Sequence, residues 1–220
     1  MELKYTIKII IAVIIISATL YSYRKRKIEN KTTPNGLNKK EPTVFINNEK
    51  KKESLEYLYK CIDITINHED AKKLKSFIAE KVKKENQTIN WDIKEEFINQ
   101  EIINFQYYQN VFFYGCLDWK ESSDVLEKYI KAALKSNFNI DIDFKDILNT
   151  DEDKTIHHAF EKYENALNDR GIALRDVDIN SDSYQIVLIK KDNLTQFTSL
   201  IEKIGFKVRK IEWGNSLSSD

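Results

Sequence analysis

The stretch from Gly171 to Lys190 (GIALRDVDINSDSYQIVLIK) decides the architecture. Ala173 to Ile179 alternates apolar and polar side chains, the period of a strand, with Leu174, Val177 and Ile179 on or near its inner face. Asn180-Ser181-Asp182-Ser183 is turn chemistry. Tyr184 to Ile189 follows, and its unbroken Ile-Val-Leu-Ile centre predicts a middle strand. Before this hairpin, Thr150 or Asp151 caps a helix bearing Ile156, Phe160, Tyr163 and Leu167, and Gly171 ends it. After it, Asp192 or Asn193 caps a helix bearing Leu194, Phe197, Ile201 and Ile204. Gly205 stops that helix and Phe206 to Trp213 returns as a strand.

Upstream, Val111 to Leu117 is aromatic and β-branched, and too short for a buried helix, so it reads as a strand. Ser122 to Asp124 caps a helix that buries Val125, Leu126, Tyr129, Ile130, Ala133 and Leu134. Three helices precede it. Glu49 to Ile66 presents Leu55, Leu58 and Ile62; Asn67-x-x-Asp70 opens a second with Leu74, Phe77, Ile78 and Val82. The third runs from Asn90 to Tyr108 with Trp91, Phe97, Ile98, Ile102 and Phe105 on one side. The order is α-α-α-β-α-α-β-β-α-β. The fold class is α+β: a helix-rich domain with a small, mainly antiparallel sheet, in which one crossover helix joins Tyr184–Lys190 to Phe206–Trp213.

Composition agrees. Only 5 glycines and 2 prolines in 220 residues favour long helices over many short strands. The 35 basic residues equal the 35 acidic ones, which argues against a nucleic-acid-binding body. Cys61 and Cys116 are far apart and form no C-x-x-C pair, so they read as two buried structural thiols.

A second stretch predicts location. Ile9, Ile10, Ile11, Ala12, Val13, Ile14, Ile15 and Ile16 form an apolar run, and Arg24, Lys25, Arg26 and Lys27 follow it. A helix from Tyr5 to Tyr23 would rise roughly 28 Å, close to a bilayer's hydrocarbon thickness. Tyr5, Tyr21 and Tyr23 suit the headgroup zone and Lys8 can snorkel. A cleaved signal peptide is the alternative, weakened by Leu20 at the −3 position before Ser22 and by the four cations. The expected division is 1–23 transmembrane anchor, 24–48 basic and polar linker, and 49–220 α+β domain. The basic block places that domain in the cytoplasm, against the inner membrane in a single-pass arrangement.

Candidate chemistry is sparse. His157 and Glu161 stand one turn apart, as metal ligands can, whereas the adjacent His158 points about 100° away. Asp176-x-Asp178-x-Asn180 resembles a calcium loop but lacks the glycine and the closing Glu, so Asp176 and Asp178 read as the wet face of a strand. Asp118 and Glu121 after a strand end are the best carboxylate pair for acid–base or metal chemistry. Tyr107, Tyr108, Phe112, Phe113, Tyr114 and Trp119 form the densest aromatic group, read mainly as core, with Trp119 and Tyr184 the candidate binding residues. No phosphate loop, G-x-S-x-G or Cys–His pair occurs, and no cofactor is implied.

From Val111 to the C-terminus the chain resembles an uncharacterised bacterial domain family, a domain of unknown function. The resemblance rests on Leu117-Asp118-Trp119-Lys120-Glu121, the Phe160-to-Leu167 helix leading to Arg170-Gly171, Ser181-Asp182-Ser183-Tyr184, and Ile204-Gly205-Phe206. It implies a small bacterial α+β module without an established activity, akin to accessory or immunity-type interaction proteins. The expected function is a membrane-tethered, non-catalytic interaction domain whose partners are the lipid bilayer and another protein, with no nucleic acid. The alternatives are a membrane-associated, metal-dependent hydrolase using Asp118 and Glu121, and a secreted domain.

Overall fold

The hairpin read from Gly171 to Lys190 is the centre of the sheet. The computed structural model describes residues 48–85, 100–144, 147 and 156–211. The chain separates into Met1–Phe45 and Ile46–Asp220, and every described residue belongs to the second unit. The predicted membrane segment, Ile9 to Lys27, therefore lies outside the described residues, as do Trp91, Phe97, Ile98 and the Thr150–Asp151 cap. Among the described residues no helix is long and apolar enough to cross a membrane.

Six helices and four strands are described: α1 (Asn48–Thr65), α2 (His68–Glu85), α3 (Gln100–Gln109), β1 (Gly115–Asp118), α4 (Ser123–Phe138), α5 (Ile156–Asn168), β2 (Ile172–Asp178), β3 (Ser183–Lys190), α6 (Lys191–Ile204) and β4 (Lys207–Arg209). Their order is the one the sequence predicts, and the domain is helix-rich α+β with a small antiparallel sheet. The strands lie in the order β1-β3-β2-β4, every neighbouring pair antiparallel. β3 is thus a middle strand. β1 and β2 run parallel with β3 between them, and β3 and β4 run parallel with β2 between them, so each helical crossover skips one strand.

Both faces of the hairpin are buried. On one face Ala173, Val177, Val187 and Ile189 pack with Leu58 and Ile62 of α1, Leu74 and Ile78 of α2, Ile102 of α3, and Phe197 and Ile201 of α6. On the other, Leu117, Ile172, Leu174, Ile186 and Leu188 meet Leu126, Ile130 and Leu134 of α4 and Phe160, Tyr163 and Leu167 of α5. This overturns the wet-face reading for Asp176, which is 0% exposed, whereas Asp178 is half-buried. A strand between two helical layers has no solvent side, so alternation no longer separates inside from outside.

Local chemistry ends the elements. Gly205, at φ 100°, closes α6, and its N–H bonds the carbonyls of Ile201 and Glu202. Asn110, Asn139 and Asn180 take the left-handed conformation at the other reversals, which Asn tolerates. Neither Asp192 nor Asn193 caps α6: the helix starts at Lys191 straight out of β3, and Asn193 Nδ2 donates instead to Ile64 O of α1.

The expected strand from Val111 shrinks to Gly115–Asp118. Gln106, buried on α3, accepts the N–H groups of Phe113 and Tyr114 on its Oε1, at 2.9 and 3.0 Å, so a side chain supplies the partner a neighbouring strand would give. The aromatic group divides accordingly: Phe113 and Tyr114 are buried, whereas Tyr107, Tyr108 and Trp119 are exposed. Val125 is also exposed, contrary to its predicted burial. Gly115 is needed because a Cβ there would stand 2.8 Å from the Tyr129 ring, whose hydroxyl donates to Ile186 O.

A polar tie joins the helical layers. Asn67 opens α2 as predicted, its Oδ1 accepting Asp70 N–H, while its Nδ2 donates to Asp70 Oδ2 and to Ser136 O of α4. Ser136 Oγ and Lys73 Nζ also donate to Asp70. Burial pushes the Asp70 carboxyl up, but the donors Lys73, Asn67 and Ser136 outweigh it and hold the group below its ordinary 3.8.

Gly115→Ala is expected to lower stability by about 1–3 kcal/mol through overpacking against Tyr129, read from the urea unfolding midpoint at unchanged slope. Because Asp70 is depressed in the folded state, its contribution is present above the unfolded value and fades as pH falls through the folded one. The stability gap between the native chain and Asp70→Asn should therefore close on acidification below pH 3.8, and a gap that stays constant there would contradict the tie.

Candidate functional site

The ends of β1 and β2 and the start of β3 converge at one end of the sheet, and most of the predicted site residues are there. Asp118 ends β1 opposite Ser183. Its Oδ1 accepts Lys120 N–H at 2.9 Å and its carbonyl accepts Glu121 N–H at 3.0 Å, a tight turn that folds Glu121 back toward the strand. Glu121 is half-buried and its Oε2 is buried without a hydrogen-bond partner. Burial first, and the Asp118 charge second, raise the Glu121 carboxyl above its ordinary value.

Cys116 faces Gln185 across the β1–β3 ladder. Gln185 is 0% exposed; its Nε2 donates to Cys116 Sγ at 3.1 Å, and its Oε1 is buried and unpaired. Cys116 itself is exposed, which corrects the expectation of two buried thiols; Cys61 is the buried one. The Cys116 thiol is nonetheless raised, by burial of the sulfur and then by the charges of Glu121 and Asp118, against the Gln185 hydrogen bond. It is a protonated thiol at neutral pH rather than a thiolate nucleophile. The burial of Cys61 raises its thiol to about 12.

Trp119 projects beside this cluster, 48% exposed, with Lys120 Nζ 5.0 Å from its ring centroid. Tyr184, half-buried, lies opposite Leu117 on the other face, its hydroxyl raised by burial and then by the Asp176 charge.

The same end holds an ion cluster invisible in the sequence. Asp176 Oδ2 accepts Arg209 Nη2 at 2.7 Å and Nε at 3.1 Å, its Oδ1 accepts Gln185 N–H at 2.9 Å, and Arg209 Nη1 reaches Asp178 Oδ2 at 3.1 Å. Burial raises the Asp176 carboxyl, and the Arg209 hydrogen bonds oppose that rise. The carboxylates of the calcium-loop-like Asp176-x-Asp178 stretch are thus engaged by a guanidinium that pins β4 to β2.

The remaining candidates do not join. Glu161 is exposed and His158 half-buried on α5, and the side chain of His157 lies outside the described residues. Among the described residues no three His, Cys, Asp or Glu side chains are grouped to hold a metal ion. Reading the sequence missed Gln185 and Arg209. Gln185, a polar residue leading directly into Ile186-Val187-Leu188-Ile189, was the available signal for the first; nothing local marked the second.

Fold and site define a helix-sheathed α+β domain whose sheet end carries carboxylates, an amide and a protonated thiol. The chain belongs to the family described as Domain of unknown function (DUF6630), which it matches over residues 56–211. The match reaches further toward the N-terminus than the resemblance read from Val111 onward. No curated protein and no solved structure matches the chain.

Arg209→Met should strand the buried Asp176 carboxylate and cost about 2–3 kcal/mol, below the range for a fully buried pair because Arg209 is 47% exposed. Asp176→Asn, which keeps an acceptor for Gln185 N–H, should cost less. Equal losses in chemical denaturation would contradict the assigned pairing.

Proposed function

We propose that the chain is a membrane-tethered, non-catalytic protein-interaction domain, held at the inner membrane by one N-terminal pass and facing the cytoplasm, in an accessory or immunity-like role. The observation that carries the interaction reading is the exposure of Trp119 (48%) on the connection between β1 and α4 and of Val125 (37%) in the first turn of α4. Trp is among the residues most enriched at the energetic centres of protein contact surfaces, and this one is left largely in water. The tether is supported by the Ile9–Ile16 run and the Arg24–Lys27 block, each cation of which adds about 1 kcal/mol of attraction to an anionic leaflet. Tethering confines the domain near a membrane partner and raises its effective concentration there.

The hydrolase reading retains one observation, the raised Glu121 carboxyl beside Asp118, the pattern of a general acid next to a charged neighbour. Stoichiometric metal in the purified full chain would promote it.

The full chain is expected to sediment with membranes, and a form lacking residues 1–27 to remain in the supernatant. Trp119→Ala with Val125→Ser should weaken partner capture from solubilised membranes at least about tenfold, whereas His157→Ala should leave it unchanged. Recovery of the intact full chain in the supernatant would remove the tether from the proposal.

A further inference from the structure

We propose that the basic stretch of residues 24–52, which ends in the first turns of α1, docks on the phosphate groups of anionic lipid, and that the acidic body behind it stays off the leaflet. The inference rests on the tethered reading above and names the lipid chemistry the tether meets. Its first observation is hidden by the neutral total of 35 basic and 35 acidic residues. Residues 1–52 hold 12 Lys and Arg against 4 Asp and Glu, a net charge of +8. Residues 53–220 hold the other 23 against 31, a net charge of −8. Within 24–52 the balance is 10 basic to 3 acidic. Charge segregated in this way gives the two parts opposite responses to one charged surface.

The second observation is where the stretch ends. Lys50, Lys51 and Lys52 are consecutive in the first turns of α1, opposed there by Glu49. A helix start carries partial positive charge and favours acids, whereas cations are favoured at the helix end. α1 has the reverse: three lysines enter it, and its last turn holds Asp63 and no basic residue. Helix stability therefore gives no reason for these lysines to stand together. Lys52 is exposed and pairs with no carboxylate among the described residues. Lipid is favoured as the occupant because the stretch begins beside the apolar run of residues 9–16, and Lys and Arg flanking a membrane segment are drawn to anionic headgroups. The body, at −8, is repelled by the same leaflet, so the contact stops where α1 leaves the basic stretch.

The test uses the full chain in lipid discs of phosphatidylcholine alone or of an equal mixture with phosphatidylglycerol. It reads the acetylation rate of each lysine by mass spectrometry. Lys39, Lys40, Lys50, Lys51 and Lys52 are expected to react at least about threefold more slowly in the anionic discs, with the difference removed by high salt. Lys72 and Lys203 of the body should react alike in both. Equal rates at the five basic-stretch lysines, slowing that persists in high salt, or equal slowing at Lys72 and Lys203 overturns the proposal. Slowing by a single-stranded oligonucleotide, without slowing by phosphatidylglycerol, also overturns it and makes the occupant a nucleic acid. Co-sedimentation with vesicles separates this claim from the tether. A chain that sediments with both lipids but shows no lysine slowing keeps the anchor and overturns the lipid contact. A chain that sediments with phosphatidylglycerol vesicles and not with phosphatidylcholine ones supports the contact and overturns the spanning anchor.

Discussion

The rest of the structure depends on the burial of the β2–β3 hairpin between two helical layers. Helices α1, α2, α3 and α6 cover one face and α4 and α5 the other, so the seven residues of β2 and eight of β3 have almost no solvent side. Apolar residues can occupy every position of such a strand, which accounts for Ile186-Val187-Leu188-Ile189. A polar residue there must instead find a partner inside the protein, because the water it would otherwise bond is excluded. Asp176 finds Arg209 and the Gln185 N–H, and Glu164 of α5 finds Arg175, which also donates to the carbonyl of Leu174.

That demand shapes the periphery. β4 pairs with β2 only over Asp176–Asp178, and Arg209 fastens it there by reaching both aspartates. The remaining outer edge of β2 is where Arg175 donates to its neighbour's carbonyl, a charged side chain on an otherwise open strand edge. At the opposite side of the sheet β1 is short because Gln106 takes the amides of Phe113 and Tyr114, and Gly115 lets Tyr129 lie against the strand. Asn67, Asp70 and Ser136 then bind the first helical pair to the end of α4.

Where these constraints meet, at the end of β1, the polar groups are not all satisfied. Glu121 and Gln185 keep buried oxygens without donors while Trp119 and Val125 stay in water. The raised Cys116 thiol is poorly suited to nucleophilic chemistry.

By itself the sequence determined the succession of helices and strands, the middle position of Tyr184–Ile189, the Asn67 start of α2 and the Gly205 stop of α6, because each depends on a residue's conformational preference or on a periodicity within one segment. It also brought Asp118, Glu121 and Trp119 together, since they share one turn. Only the tertiary structure decided that Asp176 is buried, that Arg209 is its partner, that Gln106 replaces half of a predicted strand, and that Gln185 lies beside Cys116. Each of those joins residues at least several positions apart, the last pair 69 residues, through a register or a helical layer. Local periodicity carries no record of what packs against a strand's second face, and it was the second face that turned a wet aspartate into the anchor of β4.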